Sequence, residues 1–376
     1  MFTIPAVPAP IRILALEPYF GGHHADFLEA LRRHSRHRWT VLTMPARQWR
    51  WRMRGAALHM AREAAPLESR GFDLLFASDF LPLADFRALA PAGLARLPAV
   101  AYFHENQLSY PLEPGQRRDI QYGFMNLMTA LAATEVWFNS AFHRDSFLAA
   151  ARAMLAKMPD GVPEGLADGV AAKSRVMAPG SNLAPFAPGR ARGQRQPPLT
   201  ILWNHRWEFE KNPETFFDVI FFLAEEGVPF NLALVGEATR KWPPVFERAR
   251  KRLADRLVRF GYIPAREDYE AEVCRSDIVV STAIHEFFGL PVVEAIAAGC
   301  FPLVPARLSY PEIIPADLQE TFFYQDPREL RVKLVRLLAG KGPWDKLAKL
   351  ADHVQRYDWA NRIHEFDAAL ERVAKG

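Results

Sequence analysis

The stretch STAIHEFFGLPVVEAIAAGC, residues 281–300, decides the fold of the second half of the chain. It continues from DIVVST, an apolar run typical of a buried strand. Pro291 suits the first turn of a helix, and Gly299 suits the residue that follows the end of a helix. The pattern therefore predicts a strand, a loop that contains Glu286, and a helix with Glu294 in its first turn.

The two glutamates of this stretch require an explanation, because carboxylates in apolar surroundings need partners. The backbone amides of Phe288, Gly289 and Leu290 lie at the positive end of the predicted helix, which favours a phosphate group. A carboxylate beside such a site can bind a ribose diol. The alternative is that Glu294 is an acid favourable to the helix start and Glu286 a solvated loop residue.

Two further segments suit phosphate binding. In LWNHRWEFEKNP, Arg206 and Lys211 follow a predicted strand, where two cations suit a diphosphate. Solvated surface charges are the competing interpretation. In PYFGGHH, Gly21 and Gly22 end the first predicted strand and expose backbone amides, although paired glycines are also common in ordinary turns.

Strand-like and helix-like runs alternate along the whole chain, which predicts parallel, doubly wound sheets. We predict a first domain over residues 1–185, a linker rich in Pro, Gly and Arg over 186–198, and a second domain over 199–355. An amphipathic terminal helix, 356–376, is expected to cross back to the first domain. Two such domains facing each other would form a deep interdomain cleft.

Polar residues end the predicted strands of the first half, where ligands of such sheets bind. They are Glu17, Asp79, His104 and Asn139. The unremarkable alternative for His104 is a hydrogen-bonded histidine at the end of a strand.

Composition excludes several classes of protein. The chain has 376 residues, 49% of them apolar, and no apolar run long enough to span a membrane. Its N-terminal segment lacks the features of a signal peptide, so a cytoplasmic location is expected. Two cysteines cannot form a disulfide framework or a zinc site.

The first 200 residues hold 23 Lys and Arg against 16 Asp and Glu, which favours a polyanionic partner. The segment MPARQWRWRMRG interleaves arginines with tryptophans, as single-stranded RNA contacts require. Its candidate residues are Arg47, Trp49, Arg50, Trp51, Arg52 and Arg54, and Arg117 and Arg118 add further charge. Two alternatives would show the same pattern. One is a segment whose tryptophans pack into the protein core while its arginines stay in solvent, and the other is a helix that lies at a membrane surface.

The order R-x4-K, G-Y-I and E-F-F-G-L-P-V-V-E-A-I-A-A-G over residues 200–310 resembles the retaining glycosyltransferases of family 4, which have the GT-B fold. The resemblance implies a nucleotide-sugar donor whose diphosphate meets Arg206 and Lys211. Glu294 would bind the ribose and Glu286 would face the sugar. The base would lie near the backbone of Gly261, Tyr262 and Ile263, and Gly21 and Gly22 would close over the phosphates.

The same resemblance implies a same-face attack in which the departing phosphate accepts the incoming proton, with His104 near the sugar. No Asp-x-Asp motif occurs in the chain, which agrees with the metal-independent habit of the family. We therefore expect neither a metal nor a cofactor.

The first half resembles the tRNA-queuosine mannosyltransferases, through segments that include LALEPYFGGHHADF, LLFASDFLPLADF, YFHENQLSYP and FNSAFHRDSF. The resemblance implies GDP-mannose as donor and the cyclopentene-diol of queuosine in tRNA as acceptor, with Asp79 and Asn106 on the acceptor side. The alternatives are a GT-B transferase acting on a lipid or polysaccharide, and a non-catalytic sugar-nucleotide-binding protein. The sequence leaves the oligomeric state open.

Overall fold

The structure is a computed structural model that describes residues 9–113, 115–190, 195–237 and 243–376, without the side chains of residues 188 and 190. The chain divides into two compact units. The first comprises Met1–Tyr110, Arg117–Gly180 and Trp359–Gly376, and the second comprises Pro111–Gln116 and Ser181–Asp358.

Each unit is built on a six-stranded parallel sheet, so the predicted pair of doubly wound α/β domains is confirmed. The first sheet has the order β2-β1-β3-β4-β5-β6 and the second has the order β12-β11-β10-β7-β8-β9. The strands of the first sheet are β1 (Arg12–Phe20), β2 (Arg38–Pro45), β3 (Leu74–Ser78), β4 (Ala99–Phe103), β5 (Glu135–Phe138) and β6 (Ser174–Val176). The strands of the second are β7 (Thr200–Trp203), β8 (Asn231–Val235), β9 (Leu257–Gly261), β10 (Ile278–Val280), β11 (Phe301–Pro305) and β12 (Phe323–Tyr324).

Helices alternate with these strands. Those before β7 are α1 (His23–His34), α2 (Trp49–Ala64), α3 (Leu83–Leu89), α4 (Ala92–Ala95), α5 (Ile120–Ala132), α6 (Ala141–Leu155), α7 (Leu166–Ala172) and α8 (Ala187–Arg190). Those after it are α9 (Pro213–Glu225), α10 (Val245–Arg252), α11 (Arg266–Arg275), α12 (Leu290–Ala297), α13 (Tyr310–Ile313), α14 (Gln319–Phe322), α15 (Pro327–Leu338), α16 (Lys346–His353) and α17 (Trp359–Lys375). No helix of the described residues has the length and apolar character needed to cross a membrane.

The central strands are buried on both faces, as the apolar runs predict for a parallel sheet covered by helices. In the first unit, one face of the sheet presents Phe76, Tyr102 and Trp137 to the terminal helix α17. Phe366 of α17 packs against Tyr102 and Trp137 with ring centroids 6.4 and 5.8 Å apart. The last helix of the chain therefore contributes to the core that begins with β1.

Gly180 explains how the chain leaves the first unit beside this helix. A Cβ atom at Gly180 would lie 2.4 Å from the indole of Trp359, which starts α17. Only glycine allows this approach of backbone to ring without displacement.

The predicted linker does not stand apart as a segment of its own within the described residues. Residues 184–190 are helical and belong to the second unit, while residues 191–194 lie outside the described residues. A Cβ atom at Gly189 would lie 2.7 Å from the carbonyl oxygen of Ala298 and 2.8 Å from the Cα of Cys274. The units divide after Gly180 and after Asp358, whereas the predicted boundaries were 185 and 355.

The proline of the Glu286 stretch lies in the first turn of the helix that follows, as the sequence predicts. Gly289 has φ 99°, in the left-handed region that favours glycine, and α12 begins at Leu290. Pro291 is thus its second residue. Glu294 is the fifth residue, so the expectation that Glu294 lies in the first turn is wrong.

Candidate active site

Lys211 and Glu286 form a buried ion pair at the carboxyl edge of the second sheet. Lys211 ends a short 3-10 helix, Phe209–Lys211, that follows β7, and Glu286 lies in the loop after β10. Lys211 Nζ lies 3.0 Å from Glu286 Oε2 and donates a hydrogen bond of 3.2 Å to the carbonyl of His285. Burial tends to raise the pKa of Glu286, but the charge and hydrogen bond of Lys211, together with His205 and His285, outweigh this and lower it. Glu286 is therefore a charged, partnered group and not a solvated loop residue.

Two histidines that the sequence did not predict lie near this pair. Burial, followed by the charge of Lys211, lowers the pKa of both His205 and His285 to about 4. Both imidazoles are neutral at neutral pH. The site thus combines one cation, one carboxylate and two uncharged rings. Each histidine precedes a predicted site residue in the sequence, and that adjacency was the only available signal.

Arg206 lies in the same loop as Lys211 but contacts different groups. Its Nη2 is 3.3 Å from Glu208 Oε2 and 3.4 Å from Glu210 Oε1. Burial and a hydrogen bond with Glu210 raise the pKa of Glu208 to about 7, so the two carboxyl groups share a proton. The guanidinium is 43% exposed.

Glu294 is the centre of a hydrogen-bond network. Its Oε1 accepts bonds of 2.8 Å from both Ser181 Oγ and Arg266 Nη2, and its Oε2 accepts one of 3.0 Å from the Tyr269 hydroxyl. Asn204 Nδ2 donates in turn to the Tyr269 hydroxyl at 3.1 Å. The interpretation of Glu294 as an ordinary helix acid is therefore insufficient, because Ser181 and two residues of α11 orient it directly and Asn204 orients it through Tyr269.

The loop before α12 is held by hydrogen bonds to its carbonyl groups, and its backbone amides lie at the start of the helix. Ser309 Oγ donates to the carbonyls of Glu286 at 3.2 Å and Phe288 at 2.8 Å. A Cβ atom at Gly289 would lie 3.3 Å from the ring of Tyr310, so the backbone packs tightly there. The predicted positions Phe288, Gly289 and Leu290 thus form a rigid turn leading into α12.

The predicted base-contact segment lies at the carboxyl end of β9. Gly261 ends that strand with φ 112°, Tyr262 is 63% exposed and Ile263 is buried. An exposed aromatic ring at this edge offers a stacking surface.

In the first unit, His104 is anchored through its backbone. Its amide donates to Asp79 Oδ1 at 2.9 Å, and its carbonyl accepts a bond of 3.0 Å from Asn139 Nδ2. The predicted strand-end residues Asp79, His104 and Asn139 are therefore brought together. Burial lowers the pKa of His104 well below its ordinary value and raises that of Asp79 to about 8.

Glu17, the fourth predicted strand-end residue, pairs with a histidine that the sequence reasoning missed. Glu17 Oε2 lies 3.1 Å from His24 Nδ1, and ligand atoms of Glu17, His24 and His104 all lie within 4.8 Å of one another. Burial lowers the pKa of His24, but the charge and hydrogen bond of Glu17, together with neighbouring carboxyl groups, outweigh this and raise it. Because Glu17 Oε2 lies within hydrogen-bonding distance of His24 Nδ1, we interpret the cluster as a hydrogen-bonded pair beside His104.

Gly21 and Gly22 form the turn between β1 and α1. Gly22 has φ 52° and precedes the helix, while a Cβ atom at Gly21 would lie 2.5 Å from the Cβ of Ala46. The ordinary-turn interpretation thus accounts for both glycines. Their backbone lies at a helix start, as phosphate binding requires.

The Arg-Trp segment forms the first turns of α2, and one of its predicted contact residues points inward. Arg52 is buried, and its guanidinium donates to the carbonyl of Pro45 at 3.2 Å. The expectation that Arg52 belongs to an RNA surface is therefore wrong, because its side chain holds the end of β2. Trp49 is half-buried, with its ring centroid 5.0 Å from that of Tyr122, and the Arg54 guanidinium lies 4.8 Å from the same Tyr122 ring.

The outer side of α2 remains open. Trp51 is 58% exposed, and a Cβ atom at Gly55 would lie 2.7 Å from its ring, so the indole lies flat on the helix. Arg47 and Arg50 are exposed, and the Arg50 guanidinium lies 5.0 Å from the ring of Trp49. Cations and flat rings therefore alternate on this surface.

Three predicted acceptor residues remain: Asn106 is buried within a loop, whereas Arg117 and Arg118 are exposed. Asn106 is fully buried, and its Oδ1 accepts from the amides of Leu108 and Ser109 at 3.0 and 2.8 Å, so it shapes its own loop. Arg118 donates to the carbonyls of Gln107 and Tyr110. Arg117 is exposed.

Comparison with known proteins agrees with this geometry. Residues 12–181 match the family model of the tRNA-queuosine alpha-mannosyltransferase N-terminal domain, and residues 190–354 match that of the group 1 glycosyl transferases. The chain is 37% identical over 313 residues to the tRNA-queuosine alpha-mannosyltransferase of Drosophila melanogaster, covering 81% of this chain and 82% of that protein. It is 26% identical to the GDP-mannose:cellobiosyl-diphosphopolyprenol alpha-mannosyltransferase of Xanthomonas campestris, over 66% of each chain.

Among solved structures, sucrose-phosphate synthase from Thermosynechococcus elongatus matches with a TM-score of 0.70 and 16% identity, covering 96% of this chain and 99% of that one. This likeness concerns the fold, and it confirms the predicted GT-B class. The identity to the Drosophila protein, which extends through both units, decides the family. The chain belongs to the tRNA-queuosine alpha-mannosyltransferase family of GT-B glycosyltransferases.

Proposed function

We propose that this enzyme transfers mannose from GDP-mannose to the cyclopentene-diol of queuosine in tRNA, with retention at the anomeric carbon. The observation that carries the proposal is the match of residues 12–181 to the N-terminal domain of this family, joined to a unit that holds the Lys211–Glu286 pair. The match of the N-terminal domain to this family supports the assignment of the acceptor. The residues of the second unit support the assignment of a nucleotide-sugar donor.

The second unit supplies the donor chemistry. Lys211, Arg206 and the amides that start α12 would stabilise the diphosphate, because positive charge there opposes the negative charge that develops on the leaving group. Glu294 would bind the ribose, and Glu286 would face the mannose. The exposed ring of Tyr262 would stack on the base. No metal and no cofactor is part of this proposal.

The first unit supplies the acceptor side. A neutral His104 can accept a hydrogen bond from the neighbouring hydroxyl of the diol, the one that does not attack. The departing phosphate would take the proton in a same-face attack, so no protein nucleophile is required. The exposed Trp51 and the arginines Arg47, Arg50 and Arg54 would contact unpaired bases and phosphates of the anticodon loop.

The experiment is a transfer assay with the purified full chain, GDP-mannose and bulk tRNA that contains queuosine, followed by digestion and mass analysis of the nucleosides. We expect a hexose mass increase on queuosine only. tRNA from cells that lack queuosine is the matched control. No mass increase, with donor binding intact, would contradict the acceptor assignment.

A second candidate is transfer to a lipid-linked acceptor. The Xanthomonas relative bears a diphosphopolyprenol acceptor in its name, and α2 also exposes Leu58 beside Trp51. Such a helix suits a membrane surface as well as RNA. Flotation with anionic liposomes, compared with a tRNA gel shift at the same ionic strength, separates the two candidates.

A further inference from the structure

The Glu17–His24 pair has no part in the chemistry above, yet it lies beside His104. Glu17 Oε1 accepts a hydrogen bond of 2.9 Å from Ser78 Oγ and one of 2.8 Å from the Tyr19 amide. Its Oε2 is therefore directed to His24 Nδ1 at 3.1 Å. Glu17 and His24 are 3% and 1% exposed, so water does not replace these bonds. The pair is a fixed part of the first unit.

The ring of His24 packs directly against His104. Their centroids are 4.1 Å apart, with 43° between the planes. On its other sides the His24 ring meets Phe80, with centroids 5.2 Å apart, and Tyr19, with centroids 5.8 Å apart. Because these aromatic neighbours are themselves packed, the position of the His24 ring limits the orientations open to His104.

The charges around the two rings differ. Burial lowers the pKa of His24, but the carboxylates that face it, Glu17 foremost and then Glu105, raise it; Asp79 also faces the ring but is itself protonated at neutral pH. Burial is the main cause that lowers the pKa of His104, and the three histidines that face it, His23, His24 and His143, lower it further. The pKa values of the two packed rings are therefore shifted in opposite directions.

We propose that His24, held by Glu17, is a positioning residue for His104: the packed His24 ring fixes the orientation in which the His104 ring can accept a hydrogen bond. The role of His104 as the group that meets the acceptor rests on the proposed function. The packing of the His24 ring against the His104 ring is independent of that function.

The test is long-range proton–nitrogen NMR of the full chain with labelled histidines, recorded from pH 5 to pH 9. His104→Gln assigns the His104 signals. In the wild type, the midpoint of His104 should lie below the ordinary value for histidine and that of His24 above it. In His24→Gln, the His104 midpoint should rise by about one pH unit or more, because a neighbouring positive charge is lost. His59→Gln, an exposed histidine of the same unit, should change nothing.

Kinetics provide a second measurement. In His24→Gln, the acidic limb of the kcat/KM profile for tRNA should move to higher pH, while KM for GDP-mannose stays unchanged. Should His24→Gln fail to fold, Glu17→Gln retains the ring and should shift His104 in the same direction. An unshifted His104 midpoint in both variants would overturn the proposal, as would stoichiometric zinc bound by the wild type and lost in His24→Gln. A shifted His104 midpoint in an enzyme that transfers no mannose to tRNA would contradict the proposed function but not the positioning role of His24.

Discussion

Lys211 and Glu286, 75 residues apart in the sequence, lie in direct contact with their charged atoms 3.0 Å apart. The pair joins the loop after β7 to the loop after β10, and both side chains are largely withdrawn from water. A charge pair of this kind contributes little net stability, because burying both ions is costly. Its position at the carboxyl edge of the sheet gives it a functional explanation instead.

Separate variants should divide the stability effect of this pair from its effect on activity. Lys211→Met leaves Glu286 buried without its partner and should cost about 3 kcal/mol in the free energy of unfolding. The double variant Lys211→Met/Glu286→Gln should regain most of that stability but should still lose about 100-fold or more in kcat. Urea unfolding and the transfer assay measure the two quantities. Lys349→Ala, from an exposed ion pair with Asp317, is the control and should alter neither.

If Glu294 binds the ribose hydroxyls, its substitution should abolish the preference of the enzyme for nucleotides that carry those hydroxyls. The wild type should bind GDP about 10-fold or more tightly than 2′,3′-dideoxy-GDP, because hydrogen bonds to a charged group are worth about 1.5–3 kcal/mol. Glu294→Gln should bind both compounds with similar, weaker affinity in calorimetry. Glu270→Gln removes another partner of Arg266 and should retain the discrimination. Undiminished discrimination in Glu294→Gln would assign the ribose to another group.

Arg50 and Arg52 should behave in opposite ways although they are two residues apart. Arg50→Ala should weaken tRNA binding and reduce the slope of log K against log salt by roughly 0.7–0.9, with unchanged thermal stability. Arg52→Ala should leave that slope unchanged and cost about 1–3 kcal/mol in stability, because the Pro45 carbonyl then keeps only the Arg47 amide as a donor. Salt titrations and melting curves check both. If Arg50→Ala and the wild type show the same dependence of tRNA binding on salt, then Arg50 of α2 does not contact the tRNA.

Asp79 should make the protein less stable as the pH rises. Burial raises its folded pKa to about 8, against an ordinary value of 3.8, so between these values the folded state binds the extra proton. By linkage, the free energy of unfolding should fall with rising pH across this window, by at most about 1.4 kcal/mol per pH unit. Asp79→Asn, which keeps an acceptor for the His104 amide, should remove this slope between pH 5 and pH 8. The exposed Asp85→Asn should retain it.

The sequence was sufficient for the main architecture because most strands are continuous apolar runs. It did not predict β6 (Ser174–Val176) or β12 (Phe323–Tyr324), which have three and two residues. Runs of that length show no periodicity. Their place is set by pairing with β5 and β11, which only the folded chain specifies.

The candidate site was predictable where its residues share a loop. Glu286, Glu294 and Lys211 belong to short segments with a recognisable order. The partners of Glu294 were not predictable, since Ser181 lies 113 residues away from it and Tyr269 lies 25 residues away. A local pattern shows that a carboxylate is present but not which donors the fold brings to it.

Arg52 illustrates a different reason for failure. In the alternation of arginine and tryptophan, Arg50, Arg52 and Arg54 look equivalent. Once Trp49–Ala64 is a helix, successive side chains turn through about 100°, and Arg52 falls on the buried side with Ala56. Recognising the helix first would have separated it from its neighbours.

The terminal helix Trp359–Lys375 has a consequence for how the protein is made. It is synthesised after the whole of the second unit, yet its Trp359, Phe366 and Leu370 belong to the core of the first. On the ribosome, the strands that emerge first must therefore wait with one apolar face uncovered until the later unit has been translated. Completion of the two units thus runs opposite to the order of translation. During that interval, the uncovered face of the first sheet is the surface that a chaperone would have to protect.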